Sequence, residues 1–171
     1  DLLCRDHKHI SLGKTYRQWR HSEPILLLMK IFIGSDHGGF IMKEALKAYL
    51  QDKFDIEDCG CFNEDSVDYP DIAQSTCHKV LKEEESLGIL VCGTGIGISI
   101  AANKVSGARA ALCNNEYMAQ MSRNHNNANI LCLGGRVIGE ELAKSIVDTF
   151  LSSKFEGGRH ERRVGKMECI I

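Results

Sequence analysis

From Met29 onward, short apolar runs alternate with stretches in which apolar residues return at helical spacing. Lys30-Ile31-Phe32-Ile33-Gly34 reads as a first strand and ends in a polar turn, Ser35-Asp36-His37-Gly38-Gly39. Met42, Ala45, Leu46 and Tyr49 then recur with the period of an amphipathic helix. Ile56 to Cys59 is a short, weak second strand. The loop Gly60 to Tyr69 leads to Pro70, which suits the first turn of a helix expected to run to Glu85. Gly88 to Cys92 forms a third strand, followed by the turn Gly93-Thr94-Gly95-Ile96-Gly97 and a helix-compatible segment, Ile98 to Lys104. Arg109 to Cys113 reads as a fourth strand, and Asn114 to Asn124 as a helix with Tyr117, Met118 and Met121 on one side. Asn129 to Leu133 is the fifth strand, before Gly134-Gly135-Arg136. Leu142, Ile146, Val147 and Phe150 mark a last long helix, after which Gly157 to Arg163 reads as a basic tail.

Five apolar strands separated by helices predict an α/β domain with a three-layer, Rossmann-like αβα architecture around a five-stranded parallel sheet. Right-handed crossovers place the ligand crevice beyond the carboxyl ends of the strands. Asp36-His37, Cys92 to Thr94 and Gly134 to Arg136 each follow a strand, so they are expected on one edge of the sheet. Residues 29–171 form one domain. Residues 1–28 are unlike it, mixing Arg5, Arg17 and Arg20 with Asp1, Asp6 and Glu23. The apolar run from Ile25 to Met29 is shorter than the about 7–15 residues of a secretory core, and a mitochondrial presequence is acid-poor. This segment is read as a poorly ordered extension or a translated leader.

Composition narrows the classes further. At 171 residues the chain holds one real core and is short for two domains. A net charge of −2 gives no general attraction to nucleic acid or anionic membrane, and no apolar run approaches the about 20 residues of a membrane helix. The eight cysteines include no C-x-x-C pair. Cys92, Cys113 and Cys132 sit in apolar runs, where free cysteine behaves as a small buried hydrophobe. A disulfide framework is not expected, and a reducing, cytoplasmic compartment is.

The chemistry concentrates in Gly88 to Lys104. Closely spaced glycines let backbone approach a ligand, and free N–H groups at a helix start favour negative charge. Cys92 in that setting is biased towards thiolate and suits either a nucleophile or a proton-abstracting base. The plainer alternative is a buried strand-end cysteine beside a tight turn. A dinucleotide site fits poorly, because the spacing is G-x-G-x-G and follows the third strand. His125, in Arg123-Asn124-His125-Asn126-Asn127, can exchange protons near neutral pH or simply complement a helix C-terminus. Asp36 and His37 carry the same ambiguity. Arg136, Arg159, His160 and Arg163 can make a guanidinium cluster for a phosphate, or a solvated basic face.

Five motifs resolve much of this: SDHGGF, DYPD at Asp68 to Asp71, CGTGIGISIAANK, RNHNNAN and GGRHERR. In order, from about Met29 to Arg163, they resemble the ribose-5-phosphate isomerase B family, part of a wider group with galactose-6-phosphate isomerase. The resemblance implies an aldose–ketose isomerase that uses neither metal nor organic cofactor. It implies that Cys92 is the base moving a proton between C1 and C2, and that Thr94 and the amides of Gly93, Gly95, Gly97 and Ser99 hold an enediolate. His125, with Asp36 nearby, matches the group that opens the furanose ring, and Tyr69 and Asn126 match sugar contacts. His37, Arg136, Arg159, His160 and Arg163 match the phosphate side, with Arg109 a weaker candidate. A second branch carries a glutamate where this chain has Ile98, so the sequence falls in the cysteine branch. The resemblance further implies a homodimer whose sites draw on both subunits, with a small sugar phosphate as partner.

Two rivals stay open on sequence alone. One is isomerisation of a six-carbon phosphate such as allose or galactose 6-phosphate, since pocket depth is not written in the motifs. The other is a non-catalytic phosphosugar-binding module, which has no use for Cys92, Thr94 and His125 together.

Overall fold

The computed structural model describes residues 29–168; the extension expected over residues 1–28 lies outside them. Five strands pair in parallel: β1 (Lys30–Ser35), β2 (Asp55–Asp58), β3 (Leu87–Cys92), β4 (Ala110–Leu112) and β5 (Ile130–Gly134). Their spatial order is β2-β1-β3-β5-β4, so β5 returns to lie between β3 and β4. Every residue of β3 and β5 is buried, as expected of parallel strands covered on both faces.

Six α-helices complete the domain: α1 (Phe40–Leu50), α2 (Tyr69–Lys82), α3 (Ile96–Ala102), α4 (Glu116–Asn126), α5 (Glu140–Ser152) and α6 (Arg159–Glu168). Met42, Leu46 and Leu50 of α1, Ala119 of α4, and Ile146, Val147 and Phe150 of α5 pack against one face of the sheet. Ala73 and Cys77 of α2 with Ile98 and Ala102 of α3 cover the other. The three-layer α/β architecture predicted from the pattern is the one observed.

Three boundaries differ for local reasons. α2 stops at Lys82 rather than Glu85, because Glu83 is extended and Glu85 has φ 60°. The Ser86 hydroxyl lies within hydrogen-bond reach of the Val80 and Glu83 carbonyls, at 3.0 and 2.9 Å, satisfying the helix end. α4 runs on to Asn126 and closes on Asn127 in the left-handed region, so His125 lies inside its last turn. The expected basic tail is instead the helix α6, which packs on α4 and buries His160. Its sequence, RHERRVGKME, has too few apolar residues to reveal a buried stripe.

The first crossover is held by charge. Lys43 has no exposed side-chain surface, and its Nζ meets Asp58 at the end of β2 at 2.8 and 2.7 Å, with Glu44 at 2.9 Å. Asp58 also accepts from Lys47 and from the Gly60 amide at 2.9 Å. That last bond sets the chain for two reciprocal bonds between Ser35 and the Gly60–Cys61 segment, beside the first loop. Burial pushes the Asp58 carboxyl up, but hydrogen bonds from Lys43, Lys47 and Gly60 outweigh it and hold it below its ordinary value.

Removing one member of such a buried pair costs about 3–5 kcal/mol. Because Glu44 still faces Lys43, Asp58→Asn is expected at the low end, about 3 kcal/mol less stable at neutral pH. A depressed carboxyl stabilises the fold fully above about pH 4 and loses that contribution as pH falls through its folded value. Urea unfolding between pH 5 and pH 3 should therefore show a smaller loss of stability in the variant than in the parent.

Candidate active site

Three loops meet beyond the carboxyl ends of β1, β3 and β5. The Asp36 carboxylate accepts from the Gly39 amide at 3.0 Å, closing a short 3₁₀ turn over His37–Gly39. The Asp36 amide donates to the Val91 carbonyl at 3.2 Å, fastening this loop to β3. From β5, the Gly135 amide donates to Cys92 O at 2.8 Å and the Arg136 amide to Gly93 O at 3.0 Å. These bonds lay the Arg136 guanidinium over Gly93, 3.5 Å from the place a Cβ would take. His37 Nδ1 faces the Val67 amide at 3.4 Å, tying in the chain before α2. A cleft of about 440 Å³ opens here, lined by His37, Ile41, Glu64, Gly135, Arg136 and Glu140.

The glycine turn itself is built around a sulfur. Cys92 is buried, and its Sγ accepts from the Gly95 amide at 3.1 Å. Gly95 has φ 78°, and a Cβ there would stand 2.5 Å from Leu112 Cδ1 and 2.9 Å from the Leu133 carbonyl carbon. Only glycine fits that backbone and that space. Thr94 is exposed, and its hydroxyl oxygen accepts from the Ile96 amide at 3.3 Å. Ser99 is spent on its own turn: its amide goes to Gly95 O and its hydroxyl to Ile96 O at 2.8 Å. The first-turn amides of α3, Gly97 and Ile98, have no intrahelical acceptor. Tyr69, the first residue of α2, lies against Gly97, where a Cβ would come 2.7 Å from the ring. Burial pushes the thiols of Cys77 up to about 12 and of Cys113 up to about 11, and raises Cys132 well above its ordinary range. Those three are core side chains.

The remaining predicted residues lie elsewhere. His125 and Asn126 end α4, which runs antiparallel to the strands and delivers the chain to the amino end of β5. Arg159, His160 and Arg163 lie on α6, packed on that same helix. The length of β5, about 13 Å at the usual rise per residue, separates this group from Cys92, which pairs with Gly134. Within one chain the expected proximity of Asp36 to His125 is therefore not found. Nor do His37 and Arg136 join Arg159, His160 and Arg163 in one cluster. The physical reason is that the first set follows strands and the second ends or follows crossover helices.

The amino-edge group has its own order. The His125 and His160 rings stack with centroids 4.1 Å apart and planes 4° from parallel. Glu156, unmarked in the sequence, brings its carboxylate to 3.7 Å from His125 Nε2 and 3.8 Å from His160 Nε2. Desolvation, then the neighbouring His125 and Arg159, hold the His160 imidazole below its ordinary value. Arg109 is engaged by the Asn127 carbonyl at 2.8 Å and by Glu168 at 2.6 Å. The carboxylate and the second imidazole are 31 and 35 residues from His125, too far for a spacing rule to join them.

Comparison with known proteins identifies the family. Residues 31–167 match the model of a family described as ribose/galactose isomerase. The chain belongs to that family. It is 46% identical over 144 residues to ribose-5-phosphate isomerase B of Escherichia coli, covering 84% of this chain and 97% of the relative. The crystal structure of a ribose 5-phosphate isomerase from Thermotoga maritima superposes with a TM-score of 0.79 at 56% identity, covering 81% of this chain and 97% of that one. The Mycoplasma genitalium ribose-5-phosphate isomerase B, solved with bound ribulose-5-phosphate, superposes with a TM-score of 0.78 at 43% identity. That match covers 82% of this chain and 94% of the other. Among the described residues of this family member, no helix is long and apolar enough to cross a membrane.

The contact between Tyr69 and Gly97 gives a local test. Gly97→Ala should keep the fold, since alanine favours a helix over glycine by about 0.5–1 kcal/mol. The added methyl should push the exposed Tyr69 ring off the glycine turn. Nuclear magnetic resonance should record displaced Tyr69 ring-proton shifts with no fall in melting temperature.

Proposed function

We propose that this chain interconverts ribose 5-phosphate and ribulose 5-phosphate through an enediolate, with Cys92 as the base. The observation that carries this is the buried Cys92 sulfur at the end of β3, held by the Gly95 amide beside the first turn of α3 and close to the Arg136 guanidinium that lies over Gly93. Its relatives' names supply the sugar. Proton transfer between adjacent carbons needs one compact base that takes a proton from one face and returns it to the neighbour. The charge that develops on the enediolate oxygen needs fixed donors, and the Gly97 and Ile98 amides with Thr94 offer them without reorganisation. His37 and Arg136 border the open cleft, where a phosphate supplies remote binding energy.

Ring opening is assigned to His125. Because His125 and Cys92 lie at opposite edges of one sheet, the assignment requires a second copy of the chain. In a two-fold homodimer, the α4–α6 end of one subunit would reach the Cys92 loop of the other, bringing Asn126, Arg159 and Arg163 to the sugar and its phosphate. His160 then acts by supporting the His125 ring. The six described cysteines are all free, which suits a reducing compartment such as the cytoplasm.

Purified protein given ribose 5-phosphate should accumulate ribulose 5-phosphate by NMR, and should act on allose 6-phosphate more slowly. Equal or faster turnover of the six-carbon sugar would overturn the substrate, and no turnover of either would leave a binding module. Cys92→Ala should bind the sugar phosphate yet lose at least about 10²-fold in turnover and in deuterium uptake from heavy water. Exchange at the parent rate would remove Cys92 from the mechanism. His125→Ala should slow single turnover of ribose 5-phosphate far more than the reverse chemical step from ribulose 5-phosphate, which cannot close a furanose ring. Equal losses would assign His125 to the proton transfer instead.

A further inference from the structure

Glu156 gives the amino-edge group a composition that ring opening does not use. Its amide donates to the Asn124 carbonyl at 3.0 Å, and its Oε1 accepts from the Asn124 side chain at 3.2 Å. The carboxylate is thereby turned towards the last turn of α4. We propose that His125, Glu156 and His160 form a binding site for a borderline divalent cation of the zinc class.

The donor set is the first support. Two imidazoles and one carboxylate, with a fourth position open, is a combination that zinc takes in other proteins. One ligand atom from each residue can be chosen so that all three lie within 4.8 Å of one another. Bonds of about 2.0–2.1 Å in a tetrahedron space their ligand atoms about 3.3 Å apart. The two imidazole nitrogens lie 3.7 and 3.8 Å from the carboxylate oxygen, so those pairs close by about half an ångström each. The stacked rings must also tilt open, because parallel rings aim their lone pairs side by side rather than at one point. Glu156 stands outside the helices on an exposed segment and can follow.

Electrostatics cuts both ways and sets the strength. Arg159 donates to His160 Nε2 at 3.4 Å and must swing away, which its exposure allows. Arg159 and Arg163 repel a cation, while Glu156 brings a single compensating charge. Affinity in the micromolar range is therefore expected, far from that of a structural zinc site. A bound ion would take the nitrogen assigned to ring opening, so zinc should inhibit in competition with sugar phosphate. That consequence rests on the isomerase assignment; the binding does not.

The test uses the full chain freed of metal by a chelator, titrated calorimetrically with Zn²⁺ and optically with Co²⁺. Cys92→Ala is titrated beside the parent so that thiol binding is recognised. Both should take one ion per chain, with visible d–d bands from nitrogen and oxygen ligands and no sulfur-to-cobalt charge-transfer band in the Cys92→Ala protein. Glu156→Gln, an exposed change, should weaken binding at least about tenfold, and His160→Ala should abolish it. Should His160→Ala fail to fold, His125→Ala serves as the second ligand deletion. No ion taken up at a hundredfold excess, uptake lost with Cys92, or uptake unchanged in Glu156→Gln would each overturn the site. Isomerase activity measured in chelator is scored separately. Zinc binding without turnover would sink the isomerase assignment alone, and turnover without zinc binding would sink the metal site alone.

Discussion

The close approach of bare backbone at the carboxyl edge of the sheet is the constraint on which the cleft depends. The β3 loop is stitched to β5 by two amide–carbonyl bonds, and the first loop is stitched to β3 by one. A side chain at Gly39 would run into the Val91 carbonyl, and one at Gly134 would stand 2.7 Å from the Thr94 carbonyl oxygen. Glycine at these points lets three loops share one small volume. Cys92, His37 and Arg136 follow as a consequence, because each is carried by a loop whose path the others restrict. The Lys43–Asp58 pair extends the same control to the Gly60–Cys61 segment, which flanks the first loop.

The opposite edge obeys a different rule. A crossover helix runs back along the sheet, so residues in its last turn emerge where the strands begin. His125 is fixed there by the left-handed cap at Asn127 and by the packing of α6. One chain thus presents two separate groups of candidate side chains, divided by the length of the sheet. An isologous pair would bring the two kinds of group together twice, at equivalent positions.

Much of the fold was legible from periodicity alone. Buried parallel strands write themselves as continuous apolar runs, and α1, α2, α4 and α5 carry a stripe that a 3.6-residue period exposes. The spatial order of β4 and β5 was not legible, because both orders bury the same residues. α6 carries almost no apolar signal, because its buried residue is His160. Lys43 lies one turn before Leu46 and two before Leu50 on the buried face of α1, a position from which its burial can be read. The carboxyl-edge residues were legible as a group, since each follows a strand. Glu156 was not, because its partner on α4 lies 31 residues away along the chain.

Whether two chains share each site is decided most directly by mixing inactive variants. Cys92→Ala and His125→Ala chains are co-refolded or exchanged, and turnover of ribose 5-phosphate is compared with the parent. Random pairing makes half the dimers mixed, and each mixed dimer holds one intact site of two, so about a quarter of parent activity should return. Chain exchange verified by mass spectrometry with no return of activity would contradict a shared site, because Cys92 and His125 would then have to act within one subunit.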